Sequence, residues 1–414
     1  MANANIDQWQ LQEPEAPKRK PPPTVGQDGA PGQGSAPKPP KPPKPLAFEF
    51  TGTGAEYFRI WVVNLLLTIL TLGIYSAWAK VRRLQYFYRN TRLGGATFDY
   101  HGKPEAILKG RVLAFVLIAA YKVSSGISVA ATAVVAFILL ALMPWLLARA
   151  FRFKMVNSSY RGLRFNFQGT VKQAYRTLIL FPVVVGLMAL FLWSAFESFS
   201  TSMGRFTALL MLGLAVVALA GLVPLAHYFL KHFQVDHAYF GQTPFFIDIH
   251  IKDFFKVYAK AFGWLMVGST SVGIFGLLTG KLYQMLAETM FGWLFTILYS
   301  TLSAYVFYML ARAFLESRLQ NMIWNHTEIA YNRFESKLGA RWLLWIHLSN
   351  LVLIILTFGL YKPFAVIRLL KCKLEHIRLV PSGNLEEFLA DQSISDAGAM
   401  GQEAGDFFDI DIAL

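Results

Sequence analysis

Residues Asn90–Gly102 read "NTRLGGATFDYHG", and residues Asn157–Gly169 read "NSSYRGLRFNFQG". The two stretches match at the leading Asn90 and Asn157, at Gly95 and Gly162, at Phe98 and Phe165, at the aromatic pair Tyr100 and Phe167, and at the final Gly. Aromatic and polar residues alternating behind an Asn/Gly turn form the pattern of a short β-hairpin. "DHAYFGQTPFFI" (Asp236–Ile247) and "NHTEIAYNRFES" (Asn325–Ser336) are looser copies, with Phe one place later. An isolated two-stranded hairpin is marginal in water. These hairpins therefore either pair with one another or lie on the membrane surface, where they become a packing element or a platform for a ligand or protein partner.

Outward from the hairpins the chain turns apolar. Eight segments stand out, at 60–79, 108–122, 129–148, 177–196, 207–230, 261–280, 290–311 and 342–361. Most have about the 20 residues that a helix needs to cross a hydrocarbon core. Of the whole chain 55% is hydrophobic and 15% charged, with a mean hydropathy of +0.40; soluble domains carry roughly 25% charged residues. The sequence thus predicts an all-α polytopic membrane protein of about eight hydrophobic helical segments, with internal repeats and short cytoplasmic β-hairpin loops. Residues 1–46 form a Pro/Lys-rich arm without a core to pack, 47–379 the membrane domain, and 380–414 an acidic tail.

The net charge of +14 is spread through the loops rather than gathered into one arm, which points away from nucleic acid. Four long connections (80–111, 149–176, 231–260 and 312–341) hold 24 of the 39 Lys and Arg, against three in the short turns. The positive-inside rule places those connections in the cytoplasm, where anionic lipid headgroups are their expected partners. An acidic tail able to reach a basic protein leaves a protein partner open as well.

The apolar segments at the two ends are themselves copies. "NLLLTILTLGIYSAWAKVR" (Asn64–Arg82) and "NLVLIILTFGLYKPFAVIR" (Asn350–Arg368) share Asn, Thr, Gly, Tyr and Arg at an offset of 286 residues. If both cross the bilayer fully, both tails lie outside, which puts Lys362, Arg368 and Lys371 against the charge rule. If Thr71 and Gly73, with Thr357 and Gly359, break the segments, each dips in and returns, and both tails are cytoplasmic. Both threadings stay open, with the charge rule leaning to the second. Asn64 and Asn350 would be unsatisfied in lipid, so each should face another helix, as a packing bond or as the lining of a polar path.

The run "FTGTGAEYFRIWVVNLLLTILTLGIYSAWAKVRRLQYFYRNTRLGGATFDYHGKPEAILKGR" (Phe50–Arg111) resembles the opening of the YjgN-like family of bacterial inner-membrane proteins. The likeness covers Gly52, Gly54, Asn64, the Thr-Leu-Gly-Ile-Tyr run, Trp78, Phe98, Tyr100 and Gly110-Arg111, and extends to the acidic end "GDFFDIDI". It implies a multi-pass inner-membrane protein, and no catalytic residue carries over. HExxH, P-loop and GxSxG motifs are absent from the sequence, so no enzyme, metal or cofactor is expected. His227, His232 and His237 sit at a spacing of five, which turns them away from one another on a helix. The apolar cores lack Asp, Glu and deep Lys or Arg, which disfavours ion-coupled transport. A passive passage or ligand-binding bundle is the favoured reading; a scaffold acting through hairpins and acidic tail is the alternative.

Overall fold

The computed structural model describes residues 44–197, 202–286 and 290–383. The Pro/Lys arm before residue 44 and the acidic tail from residue 384 lie outside these residues. A short strand, β1 (Leu46–Phe50), precedes four hairpins: β2 (Thr91–Leu93) with β3 (Ala96–Tyr100), β4 (Ser158–Tyr160) with β5 (Leu163–Phe167), β6 (Ala238–Phe240) with β7 (Thr243–Ile247), and β8 (Thr327–Ile329) with β9 (Asn332–Ser336). The last strand is β10 (Ile377–Val380). Every strand pairs antiparallel with both neighbours, and β1 pairs with β10, so the ten form one closed barrel.

This closure corrects the all-α expectation. Hairpins of three and five residues are too weak to stand alone, and each carries two open edges. Pairing the hairpins in a circle, with a strand from each end of the chain as the seam, removes every edge. The barrel is not a membrane-crossing one. Strands of five residues fall short of the 9–11 needed to span a bilayer, and the outer face is charged: Glu49 lies opposite Arg92, Glu335 opposite Arg378, and Arg333 bonds Glu328 at 3.0 Å. Its interior is packed. Phe48, Leu93, Tyr160, Phe240, Ile329, Phe334, Ile377 and Leu379 are all buried. Ring contacts such as Phe98–Tyr160 at 4.7 Å, Phe165–Phe240 at 5.1 Å and Trp324–Phe334 at 5.0 Å join them.

The helices leave and return at one end of this barrel: α1 (Gly54–Leu70) and α2 (Ser76–Arg89) between β1 and β2; α3 (Pro104–Ile127) and α4 (Val129–Val156) between β3 and β4. Next come α5 (Val171–Leu178), α6 (Leu180–Glu197) and α7 (Ser202–Asp236) between β5 and β6. Then α8 (Ile251–Leu286) and α9 (Met290–Asn325) lie between β7 and β8, and α10 (Ala340–Leu356) and α11 (Lys362–Glu375) between β9 and β10.

Each return is capped alike. The side chains of Asn90, Asn157, His237, His326 and His376 each bond the backbone carbonyl four residues back, at 2.7–3.0 Å. The carbonyls of the same five residues accept from Thr51, His101, Gln168, Asp248 and Lys337 in the preceding strand's exit, closing the ladder. This frame sets the third and fourth hairpins in register at His237 and His326, one residue past Asp236 and Asn325. Phe245 and Phe334 then fall level with Phe98 and Phe165, so the apparent displacement of Phe disappears.

Three exits share an aromatic-x-Gly pattern. Phe50, Tyr100 and Phe167 lay their rings over Gly52, Gly102 and Gly169, where a Cβ would come within 3 Å of ring atoms. At the other two exits the strand ends in Ile247 or Ser336, and Ile249 and Leu338 replace the glycine. The smaller end residue leaves room for the larger follower.

The eight-segment expectation is also corrected. Among the described residues three helices are long and apolar enough to cross a membrane, Val129–Val156, Gly204–Asp236 and Ile297–Asn325, or four if α5 and α6, bent by 46°, count as one. The segments at 60–79, 108–122, 261–280 and 342–361 give no such helix, and in the first and last of these the helix stops at a turn, residues 71–75 and 357–361. The helices between those two still expose an apolar belt that no protein covers, including Phe115 at 72%, Val217 at 71% and Leu277 at 83%, far more than a water-facing surface tolerates.

Candidate functional site: a basic cleft beside the first helical hairpin

The fold in each terminal segment comes from its Thr-x-Gly. Helix α1 ends with Leu72 at φ 50° and Gly73 at φ 94°, and α10 with Phe358 at φ 49° and Gly359 at φ 90°. Gly73 N–H donates to Thr68 O at 2.8 Å and Leu72 N–H to Ile69 O at 3.1 Å; Gly359 and Phe358 repeat both bonds to Ile354 and Ile355. This is a Schellman cap, with a bulky apolar residue where glycine is usual. Thr71 Oγ1 donates to Leu67 O at 2.7 Å and accepts from Tyr75 N–H at 2.9 Å, and Thr357 does the same between Leu353 and Tyr361. The freed backbone groups are thereby satisfied inside the turn, as an apolar surrounding requires. Leu72 and Phe358 stand at the tips, 95% and 97% exposed.

Between α1, α2, α3 and α11 lies a cleft of about 490 Å³. Helix α1 contributes Tyr57, Trp61, Asn64, Leu65 and Thr68; α2 contributes Ser76, Ala79, Lys80 and Arg83; α3 contributes Arg111; and α11 contributes Lys362, Pro363 and Val366. Four of these side chains are cationic and none is acidic. Among the described residues no carboxylate forms an ion pair with Lys80, Arg83, Arg111 or Lys362. Arg111 donates to the Ser76 hydroxyl, and Ser76 to Gly73 O, which anchors the third helix to the turn. At the barrel end Tyr86 bridges Thr53 and the Glu56 carboxylate, each at 3.0 Å. Burial, then Glu56, pushes its phenol up to about 12.

Of the residues singled out in the sequence, Asn64 lines the cleft, 8% exposed, and its Oδ1 has no hydrogen-bond partner. Asn350, 6% exposed, is satisfied: its Nδ2 donates to Ala365 O at 3.3 Å and its Oδ1 accepts from Arg368 at 3.4 Å. Thr71, Gly73, Thr357 and Gly359 form the two tips. Asn90 and Asn157 are helix caps, Gly95 and Gly162 hold the left-handed turn positions at φ 80° and 83°, and Phe98 and Phe165 pack against the barrel core. Tyr100 and Phe167 end their strands under the helices, Tyr100 against Ala77, Val81 and Ile107, and Phe167 against Ala148, Ala174 and Phe233.

The sequence reading missed the cleft's cations, because Lys80, Arg83 and Arg111 look like ordinary loop charge. The signal lay at two of them: Lys80 and Arg83 stand where the other copy, 286 residues on, has the apolar Val366 and Leu369. His227, His232 and His237 are engaged separately, with Tyr258 at 2.8 Å, Asp236 at 3.1 Å and the Phe233 carbonyl at 3.0 Å.

A family model described as "bacterial protein of unknown function (DUF898)" matches residues 45–407. The inner membrane protein YjgN of Salmonella typhimurium is 27% identical over 334 residues, covering 76% of this chain and 83% of that protein. Proteins of the same name from two strains of Escherichia coli are 32% identical over 142 and 147 residues, each match covering 34% of this chain and 36% of the relative. No solved structure matches.

Proposed function

Because the chain belongs to the YjgN-like (DUF898) family of bacterial inner-membrane proteins of unknown function, we propose that it is a multi-pass, non-enzymatic bundle that binds an anionic ligand at the inner face of the membrane. In this reading the barrel is cytoplasmic, the long apolar helices cross and return in pairs, and the first and last helical hairpins dip into the inner leaflet and come back. The four basic connections all run into one barrel, so a single cytoplasmic body accounts for the whole charge asymmetry. Five hairpin units built on one plan, with matching caps, also suit descent by duplication.

The observation that carries the function is the cleft: four cations that pair with no carboxylate among the described residues, beside an amide whose Oδ1 has no partner. Cations held together without an acid repel one another, and an anion relieves that repulsion. Passage along the barrel axis is less favoured, since packed aromatic rings occupy the bore. The scaffold alternative loses its simplest surface, because every hairpin edge is consumed in the closed barrel.

Two measurements on the full chain test this. Arg92→Cys in a Cys372→Ser background should react with an impermeant thiol reagent in inside-out vesicles and stay unreactive in intact spheroplasts; the reverse would overturn the orientation. In detergent, phosphate-bearing ligands should raise the melting temperature of the parent protein and not that of Lys80→Ala/Arg83→Ala. An equal response from both would remove the cleft as the site.

A further inference from the structure

Resting on the anion-binding reading, we propose that the cleft holds the headgroup of a membrane phospholipid that carries a free hydroxyl beside its phosphate, as a glycerol-headed phospholipid does. Charge selects the phosphate: Lys80 and Arg83 on α2, Arg111 on α3 and Lys362 on α11 converge from three helices on one cavity. Guanidinium pairs with phosphate oxygens in fixed, directional geometry.

The amide selects the rest of the headgroup. Asn64 is more than nine-tenths buried, and its Oδ1 has no donor. An amide presents a donor and an acceptor side by side. A fully ionised phosphomonoester fills only the donor half, because it brings no proton for a carbonyl oxygen. A phosphodiester with a hydroxyl on its headgroup fills both.

The position of the cleft selects a lipid over a free ion. Its lining includes Trp61, Leu65 and Val366, and α1 continues beyond these through Ile69 and Leu70, 62% and 77% exposed, to the bare tip at Leu72. A phosphate seated among the cations therefore has an apolar, uncovered helix face beside it for its acyl chains. The same place in the last hairpin offers none of this. There Asn350 is bonded to its own hairpin, and the charges nearby include their own acid, Glu316.

The test measures dissociation constants of the full chain in detergent for four probes: dihexanoyl-phosphatidylglycerol, dihexanoyl-phosphatidic acid, glycerol phosphate and inorganic phosphate. The proposal expects the phosphatidylglycerol to bind at least about tenfold more tightly than either chain-free probe. Arg83→Ala should weaken every phosphate probe by about tenfold or more, the scale of one charge-assisted hydrogen bond. Asn64→Leu should weaken the phosphatidylglycerol several-fold while leaving phosphatidic acid within about twofold, with an unreduced melting temperature showing that the variant folds. Lys371→Ala, at an exposed site paired with Glu375, should change nothing. Glycerol phosphate matching the lipid, or an unchanged phosphatidylglycerol affinity in Asn64→Leu, would overturn the lipid assignment while the anion site stands. Failure of all four probes to bind would overturn both.

Discussion

The first and last helical hairpins, α1–α2 and α10–α11, share a turn, a cap and a buried asparagine, yet one is closed on itself and the other is open. In the last hairpin Arg368 reaches back to Asn350 at 3.4 Å and to Ser349 at 2.8 Å. In the first, Arg82, at the copied position, instead donates to the Tyr75 hydroxyl at 3.3 Å, and Asn64 Oδ1 is left without a donor. Charge follows the same division. Glu316 sits beside the last hairpin, accepts from Arg312 at 2.7 Å, and lies in ion-pair range of Lys373 at 2.7 Å and His347 at 3.4 Å. The position of His347 is held in the first hairpin by Trp61, and among the described residues the cations of the cleft form no ion pair with an acid. The last copy bonds its asparagine and brings its cations an acid, although Glu316 Oε2 and His347 Nε2 make no hydrogen bond; the first leaves Asn64 Oδ1 without a donor. Unsatisfied polar groups and uncompensated charge cost stability and survive where something external completes them.

The largest effect that would break this comparison is at Glu316. Its carboxylate is mostly buried among three basic groups, so Glu316→Gln should lower unfolding stability by about 3 kcal/mol, the scale of an orphaned buried charge. Thermal or denaturant unfolding of the purified chain measures it, and a change under about 1 kcal/mol would mean that the last hairpin is not held by its own acid.

Next comes the matched asparagine pair. Asn350→Leu removes two buried hydrogen bonds and should cost about 2 kcal/mol, whereas Asn64→Leu removes a buried polar group without a partner and should be neutral or stabilising by up to about 1 kcal/mol. Equal losses at both sites would erase the distinction. A smaller effect is expected at the tip. Leu72 holds a left-handed conformation that costs a non-glycine residue about 1 kcal/mol. Leu72→Gly should therefore melt slightly higher in detergent and yet bind less firmly to lipid bilayers, read by thermal unfolding and by extraction from membranes.

The smallest effect concerns the barrel surface. Burial raises the Asp99 carboxyl, but the hydrogen bonds from Arg89 and the Tyr100 amide outweigh it and hold the acid below its usual range. A depressed acid contributes stability that is present above its unfolded pKa near 3.8 and lost as pH falls through the folded value. Arg89→Gln should flatten that acid slope slightly, by less than about 1 kcal/mol given the exposure of the pair.

Much of the architecture was legible along the chain. Hairpin residues announced themselves because a two-residue turn needs left-handed backbone and strand faces alternate, so Gly95, Phe98 and Tyr100 recur at Gly162, Phe165 and Phe167. The folding back of the terminal segments was legible only as one of two threadings. Length alone allows Asn64–Arg82 to cross once, and the decision lies in whether Thr71 and Gly73 close a cap. The strands β1 and β10 were not anticipated. "LAFEF" and "IRLV" are too short to carry a pattern of their own, and they are strands only because each supplies an edge that the other lacks.

By itself, the sequence determined composition, the periodic apolar segments, the hairpin pattern and the gathering of Lys and Arg into four connections, since each is a property of neighbouring residues or of simple sums over them. Tertiary structure alone decided that the hairpins close into a barrel, and that Lys80, Arg83, Arg111 and Lys362 meet around Asn64. Those outcomes depend on residues up to 333 positions apart, from Leu46 to Leu379 across the barrel seam, and on which hydrogen-bonding groups are left over once local pairing is complete. Distance in space and unmet valence are not written in any window of the chain.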